Sequence, residues 1–374
     1  MIIPPLWMAW TWQDAFYKAM VFMVVASPCA IVSSVMPAIL SAISRSARNG
    51  VLFKSGACMD LLGEINVVAF DKTGTLTMGT PVVTAFHTEP GYDDMEVLRA
   101  CAAAESLSQH PLARAVVDYA RSQGIDSSEA GEVEQLTSLT GQGIEASLCG
   151  HVWRITKADE KDVLMPTPMC QQVRELSQAG NTVSVILCDG QYAGLIAMQD
   201  TLRPQAKSMI AKLHDMGMTT VMLTGDRYLT ASAIAREAGI QHVYADLLPQ
   251  DKVTHVSQLR DTCGGVIMVG DGVNDAPALA NATVGIAMGG EGSGAALDVA
   301  DVVLMNDSIE HMVHTIALAR RTRTIIKQNL IFAGAVISLL VATNFIQGIP
   351  LPLGVVGHEG STILVILNGL RLLR

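Results

Sequence analysis

Charged residues are scarce in this sequence: they make up 16% of its 374 residues, against 50% for hydrophobic residues. With a mean hydropathy of +0.36, the chain is too apolar for an ordinary soluble protein and too mixed for a purely membrane one. Positive charge is also short, because the net charge is −10, so nucleic acid is not predicted as a partner. The seven cysteines form no CxxC pair, which argues against a disulfide framework and a zinc knuckle.

Apolar stretches near both ends predict membrane helices. Residues 14–50 form one predicted helix, which contains Ser27-Pro28-Cys29, and residues 320–374 form two more around the turn "QGIP". A soluble core is the alternative for the last two. Residues 1–13, rich in Trp and containing two prolines, are interpreted as the end of a preceding membrane segment. Basic residues beside the predicted spans place the middle of the chain on the cytoplasmic side.

The middle of the chain alternates strand-like apolar runs with helical patterns, which predicts a mostly parallel α/β sheet. This rhythm changes between residues 81 and 189. We therefore expect one domain formed by residues 51–80 and 190–319, with a second domain, 81–189, inserted into it.

The stretch "DKTGTLT" begins with Asp71, directly after the apolar run "INVVAF". A charged residue at the end of a buried strand is costly unless it has a partner or a task. The carboxyl ends of strands are where open α/β sheets place their sites, and a carboxylate there can accept a phosphoryl group.

Three later motifs predict the partners of that reaction, in which positioning and charge neutralisation dominate. "TGD", from Thr224 to Asp226, provides a hydroxyl and backbone N–H groups that can hold a phosphoryl oxygen, and "LLPQDK" provides the cation Lys252. "GDGVNDAPAL" provides Asp271 and Asp275, oxygen ligands that suit Mg²⁺.

With these motifs the chain resembles the P-type ATPases, whose phosphorylation domain has a haloacid-dehalogenase-like fold. The resemblance implies an α/β haloacid-dehalogenase-like domain with an inserted α+β nucleotide-binding domain, transmembrane helices, and ATP and Mg²⁺ as cofactors. Asp71 would be the phosphorylated nucleophile and a Mg²⁺ ligand. Thr73 and Asn274 would join the catalytic set.

The insert contains "ESLSQHPLA", with Glu105 and His110, and "TGQGIEA", with Gly141 and Gly143. Taken alone, a His-Pro pair is also typical of a helix cap, and Gly-x-Gly of a turn. Together they are similar to the nucleotide site of the heavy-metal branch of the family. The glycine that continues this signature is replaced by Thr156, so that position is not assigned.

Ionisable side chains within the predicted spans indicate a functional site, because they are costly in lipid, and a nearby cysteine adds a soft metal ligand. Pro28 frees a helical carbonyl between Ser27 and Cys29, and the last span carries "HEGST", with His358 and Glu359. A Pro-kinked helix and an interfacial loop are the structural alternatives. Sulfur, imidazole and carboxylate together favour a borderline divalent metal over Cu⁺.

Ser-Pro-Cys and His-Glu-Gly-x-Thr resemble the cobalt-type subgroup of heavy-metal pumps. The resemblance implies Ser27, Cys29, His358, Glu359 and Thr362 as ligands of a transported Co²⁺ or Zn²⁺. It also implies a multi-pass protein of a bacterial inner membrane, with the lipid bilayer and the metal ion as partners.

The sequence has no Thr-Gly-Glu-Ser, the actuator motif of this family. We therefore expect it to correspond to the C-terminal part of a pump, with the N-terminal half as a further partner. One alternative is a fragment that binds nucleotide or metal without turnover. Another is a membrane-tethered phosphatase, although Thr73 stands where such enzymes have an acid/base aspartate.

Overall fold

The computed structural model describes residues 10–108, 110–125, 133–139, 143–159, 165–271, 273–290, 294–306 and 308–374. Its elements, in chain order, are α1 (Trp12–Val25), α2 (Cys29–Arg48), β1 (Val51–Phe53), α3 (Gly56–Leu62), β2 (Val67–Asp71), β3 (Val82–Thr88), α4 (Asp94–Glu105), α5 (Pro111–Ser122), β4 (Gln135–Leu139), β5 (Gly143–Leu148), β6 (His151–Lys157), α6 (Thr167–Gln178), β7 (Thr182–Cys188), β8 (Gln191–Gln199), α7 (Ala206–Asp215), β9 (Thr219–Leu223), α8 (Tyr228–Ala238), β10 (His242–Tyr244), α9 (Pro249–Cys263), β11 (Ile267–Gly270), α10 (Ala276–Asn281), β12 (Val284–Met288), α11 (Gly294–Val299), β13 (Val302–Leu304), α12 (Ile309–Ile346) and α13 (Leu351–Leu370). They fall into two compact units, Met1–Ile65 with Asp301–Arg374, and Asn66–Ala300.

The first unit contains the long apolar helices. Within the described part of the chain, three helical stretches are long and apolar enough to cross a membrane, namely Trp12–Arg48, Ile309–Ile346 and Leu351–Leu373. The first stretch is broken between α1 and α2 at Pro28, which cannot donate a backbone hydrogen bond. The buried Asn329 of α12 ties three helices together, because its side-chain amide donates to Ser34 O and Val365 O.

The boundary predicted at residue 320 lies inside α12, which begins at Ile309 and continues without a break into the apolar stretch. Amphipathic sequence at its start and apolar sequence further along are both compatible with one helix. In the same unit, β1 pairs antiparallel with β13 through the register Val51 to Leu304.

The second unit contains a parallel sheet with the strand order β12-β11-β2-β9-β10. Every residue of β2, β11 and β12 is buried, which explains their continuous apolar runs, because helices cover both faces of parallel sheets. The order places β2 between β11 and β9. The carboxyl ends of these three strands therefore lie side by side.

The inserted region forms a six-stranded antiparallel sheet with the order β3-β8-β7-β6-β5-β4. One face packs on α4 and α5 through side chains such as Val97, Val116 and Trp153. The other face packs on α6 through Met169 and Val173.

Strand β8 lies in this antiparallel sheet, beyond the boundary predicted at residue 189. The physical reason is the two-residue turn Asp189-Gly190, which closes a hairpin between β7 and β8. The inserted sheet therefore extends to Gln199.

Candidate active site and cation sites

The side chains predicted for phosphoryl chemistry meet at the carboxyl edge of the parallel sheet. Asp71 ends β2, Thr224 follows β9, and Asp271 follows β11. Lys252 reaches them from α9, with its ammonium bonded to both Asp71 and Asp275 (2.8 Å to Asp275 Oδ1). Three strand ends and one helix thus converge on one buried carboxylate.

Asp71 is 5% exposed, and its second carboxylate oxygen accepts a hydrogen bond from the Thr73 backbone N–H at 3.0 Å. Burial, followed by the neighbouring carboxylate of Asp275, raises the pKa of Asp71 to about 6, while Lys252 opposes this change. The ammonium of Lys252 thus favours the ionised form of Asp71, the form that can act as a nucleophile.

Asp71, Asp271 and Asp275 bring ligand oxygens within 4.8 Å of one another. Burial and the charges of Asp71 and Asp275 raise the pKa of Asp271 to about 7. Three carboxylates against one lysine leave a deficit of positive charge, which a divalent cation would relieve. An all-oxygen ligand set of this kind fits Mg²⁺.

Lys72 is a functional candidate that the motif interpretation missed. It is 5% exposed and forms an ion pair with Asp226 across the strand ends. Burial opposes the charge of Lys72, but Asp226, Asp200 and Asp71 raise its pKa overall. Burial likewise opposes the charge of Asp226, but Lys72 lowers the pKa of Asp226 overall. The position of Lys72 directly after the strand-end Asp71 was the sequence signal that could have identified it as a candidate.

Thr224 is buried, and its hydroxyl accepts a hydrogen bond from the Asp226 backbone N–H at 3.1 Å. This contact shapes the turn after β9 next to Asp71. Asn274 is exposed, and together with Thr224 and Asp226 it lines the cavity at the sheet edge.

The loop after Asp71 is held by residues that no motif indicated. Gly74 has a φ of +70°, and its carbonyl accepts a hydrogen bond from Arg203 Nη2 at 2.7 Å. The Thr77 hydroxyl donates to Asp200 Oδ2 at 2.5 Å, and the Gly79 N–H donates to Asp200 Oδ1 at 3.1 Å. Asp71 therefore lies at the start of a fixed turn.

A cavity of about 1110 Å³ joins this edge to the inserted sheet. Its lining includes Asp71 and Lys252 on one side, and His110, Lys157 and Tyr192 on the other. Its size is at the upper end of the range typical of small-molecule sites, so it can accommodate a nucleotide.

The residues predicted to bind the nucleotide do not all line the same cavity. His110 lines the large cavity and also caps α5, because its Nδ1 accepts from the Leu112 N–H at 3.2 Å. Desolvation lowers the pKa of His110. Glu105, at the end of α4, lines a separate hollow with Arg114 and Arg121, and burial raises the pKa of Glu105 to about 7.

Local packing explains why position 143 is a glycine. Gly143 begins β5 with a φ of +147°, and a Cβ there would lie 2.0 Å from Ile155 O of β6. Close approach of the neighbouring strand therefore requires glycine. Gly141 lies outside the described residues.

In the first unit, which contains the long apolar helices, Ser27 Oγ lies 3.0 Å from Cys29 Sγ, at the break between α1 and α2. His358 is 1% exposed, and neither ring nitrogen has a hydrogen-bond partner among the described residues. Thr362 is buried, and its hydroxyl donates to His358 O at 3.1 Å, whereas Glu359 is exposed. Among the described residues, no cluster of three His, Cys, Asp or Glu ligands includes these side chains.

Comparisons with known proteins agree with this geometry. The model of the haloacid dehalogenase-like hydrolase family matches residues 65–283. A zinc-transporting ATPase of Bacillus subtilis (strain 168) is 47% identical over all of this chain and 58% of its own length. A probable cobalt/nickel-exporting P-type ATPase of Mycolicibacterium smegmatis is 44% identical over 96% of this chain and 55% of its own length.

Two groups of solved structures are similar. A zinc-transporting PIB-type ATPase in the E2.Pi state has a TM-score of 0.75 at 40% identity, covering all of this chain and 60% of that one. The catalytic domain of the CPx-ATPase CopB-B has a TM-score of 0.60 at 30% identity, covering 74% of this chain and 98% of that one. The chain thus spans about half the length of the curated relatives it matches.

The Gly74 turn generates a prediction. A Cβ on Gly74 would lie 1.5 Å from Asp271 Oδ2, so Gly74→Ala should displace Asp271 and reduce Mg²⁺-dependent phosphorylation by at least about tenfold. Gly217→Ala is the matched control, because Gly217 has a φ of +74° but no atom within 4 Å of the added Cβ. It should cost about 1 kcal/mol of stability and leave phosphorylation intact. Equal phosphorylation in Gly74→Ala and Gly217→Ala would contradict the expected clash between the added Cβ and Asp271.

The raised pKa of Glu105 generates a second prediction. A carboxyl group whose pKa is higher in the folded than in the unfolded chain destabilises the folded state as pH rises from about 4.5 through about 7. At about pH 8, Glu105→Gln should therefore slow hydrogen exchange at the end of α4 several-fold relative to the unmodified chain. The difference should disappear at about pH 5, where Glu105 is protonated. Glu96→Gln, at an exposed site in the same helix, is the control, and an equal effect there would refute the assignment.

Proposed function

We propose that this chain, which belongs to the haloacid dehalogenase-like hydrolases and within them to the heavy-metal P-type ATPases, couples ATP cleavage to transport of a divalent transition metal. The chemistry passes through an aspartyl-phosphate at Asp71. One observation carries this proposal: a buried carboxylate is held by the ammonium of Lys252 where both residues line a nucleotide-sized cavity.

In the proposed reaction, one Asp71 carboxylate oxygen attacks the γ-phosphorus of ATP. The bond between that phosphorus and the β–γ bridging oxygen breaks, ADP leaves with the electron pair, and an acyl phosphate remains. Lys252 offsets the charge of Asp71 and of the incoming phosphoryl group, and the Thr224 hydroxyl lies beside them as a donor. Mg²⁺, held by Asp71, Asp271 and Asp275, would supply further charge neutralisation.

ATP would enter the cavity between the sheet edge and the inserted sheet. His110 and Lys157 line the far side of that cavity, so their position supports nucleotide binding there. We retain Glu105 and Gly143 as weaker nucleotide candidates, because the first faces a separate hollow and the second packs against β6.

A phosphatase that acts on free phosphoesters is less well supported. It would need a carboxylic acid two residues after the nucleophile to protonate the leaving group and activate water. Thr73 occupies that position, and its backbone N–H is bonded to Asp71. A hydroxyl cannot replace the carboxyl in that role, so the acyl phosphate should be long-lived.

The nucleophile is tested with Asp71→Asn in the full chain. The change keeps the size of the side chain but removes its anionic oxygen, so acid-stable, hydroxylamine-sensitive labelling from γ-labelled ATP should disappear. Asp261→Asn, an exposed aspartate on α9, should label normally. Absence of label in the unmodified chain would support a fragment that only binds, and retained label in Asp71→Asn would place the nucleophile elsewhere.

For the transported ion we propose Cys29 and His358 as principal ligands, with Ser27, Glu359 and Thr362 as oxygen candidates. A Cβ on Gly354 would lie 3.1 Å from Val25 Cγ2, and one on Gly369 would lie 3.1 Å from Ala38 N. Helix α13 therefore runs in the same direction as α1 and α2.

His358 lies one turn beyond Gly354 and hence at the level of the helix break. A buried imidazole with two unpaired nitrogens is costly, and a metal ion would satisfy it. Together with Ser-Pro-Cys and His-Glu-Gly-x-Thr, a mixed sulfur, nitrogen and oxygen set favours Co²⁺ or Zn²⁺.

X-ray absorption on the Co²⁺- or Zn²⁺-loaded chain carrying Cys188→Ala, which removes the thiol of a separate His–Cys–Asp cluster, tests this site. We expect a mixed sulfur and nitrogen/oxygen shell, in which the sulfur signal is lost in Cys29→Ser and the nitrogen signal changes in His358→Ala. Cys58→Ser, a buried cysteine of the same unit, should leave the spectrum unchanged. A shell without sulfur in the chain whose only substitution is Cys188→Ala would exclude Cys29 as a ligand.

A further inference from the structure

The ends of β6 and β7 gather three metal-binding side chains away from the cavity. His151 begins β6, Cys188 ends β7, and Asp189 follows in the turn before β8. One ligand atom from each lies within 4.8 Å of the other two. We propose that these residues form a separate Zn²⁺- or Co²⁺-binding site on the six-stranded sheet. This proposal does not depend on the transport reaction.

The backbone explains why these side chains converge. Consecutive residues of a strand point to opposite faces of the sheet, so Cys188 and Asp189 would normally diverge. Asp189 instead has a φ of +50°, a left-handed conformation that redirects its side chain. Its Oδ1 accepts from the Val152 N–H at 2.8 Å, and its own N–H donates to Val152 O at 2.8 Å. The carboxylate is therefore fixed before any ligand arrives.

The remaining oxygen of Asp189 lies 2.7 Å from His151 Nδ1. A surface His–Asp contact alone would be an ordinary ion pair of little energetic value. The nearby thiol distinguishes this contact, because Cys188 is 8% exposed and lies beneath the half-exposed side chains of His151 and Asp189. Sulfur, imidazole and carboxylate are the ligands of zinc-type ions, while Mg²⁺ and Ca²⁺ prefer oxygen alone.

The separations are compatible with coordination after small movements. Metal–ligand bonds of about 2.0–2.3 Å at tetrahedral angles place ligand atoms roughly 3.3–3.8 Å apart. The half-exposed imidazole of His151 has room for that adjustment. The fourth position could be taken by water or by Glu96 of α4, whose charge acts on both His151 and Cys188.

The test is a Co²⁺ titration of the full chain carrying Cys29→Ser and His358→Ala, which removes the proposed transport ligands. We expect one equivalent of Co²⁺ to give a thiolate-to-metal charge-transfer band and an intense ligand-field band of tetrahedral type. The acidic cluster at Asp71 has no sulfur and cannot produce the first band. Zn²⁺ added afterwards should bleach both bands by displacement.

In that background, Cys188→Ala should abolish the charge-transfer band. Cys101→Ala is the matched control, because Cys101 is a buried cysteine of the same core but not of the cluster, and it should keep the band. His151→Gln and Asp189→Asn should weaken Co²⁺ binding by at least about tenfold, since even residues behind the ligands change metal affinity that much. Asparagine tolerates the left-handed turn, so a folding defect is not expected there. No charge-transfer band, or a band that persists in Cys188→Ala, would overturn the site.

Discussion

The two contacts of the Lys252 ammonium, with Asp71 and with Asp275, are the interaction on which the site depends. Buried carboxylates repel one another and lose their hydration, and both effects favour protonation. Lys252 opposes this at Asp71 and lowers the pKa of that carboxyl, so it favours the ionised form. Removing the lysine would leave the buried Asp71 and Asp275 and the half-buried Asp271 with less compensation, which is more costly than losing an exposed pair.

A second ion pair repeats this arrangement one strand away. Lys72, the residue after Asp71, forms an ion pair with Asp226 at the end of β9. Alternating cations and carboxylates therefore cross the carboxyl edge of the sheet. The large cavity begins at this edge and continues to basic side chains of the inserted sheet, among them Lys157. Such a distribution of charge suits a nucleotide whose phosphates point at the strand ends.

The sequence was most informative where strand ends carry charge. Asp71, Lys252, Asp271 and Asp275 were predicted from motifs, and the parallel sheet brings them together because neighbouring strands end at one edge. Pairing across the site was harder to predict, since nothing local in "DKTGTLT" indicates that Lys72 meets Asp226.

Strand β8 was placed in the wrong sheet because an apolar run alone does not reveal its partner. The Asp189-Gly190 turn was the overlooked signal. Gly143 shows the opposite case, in which a motif glycine has a local packing reason.

The most direct test of the central claim is to locate the phosphoryl group itself. The full chain, phosphorylated by ATP and Mg²⁺ and quenched in acid, is reduced with borohydride, which converts an aspartyl-phosphate to homoserine. Mass spectrometry of the peptide that contains residues 65–78 should then find homoserine at position 71 and at no other aspartate. Homoserine at Asp226, Asp271 or Asp275, or no homoserine in a chain that hydrolyses ATP, would contradict the account.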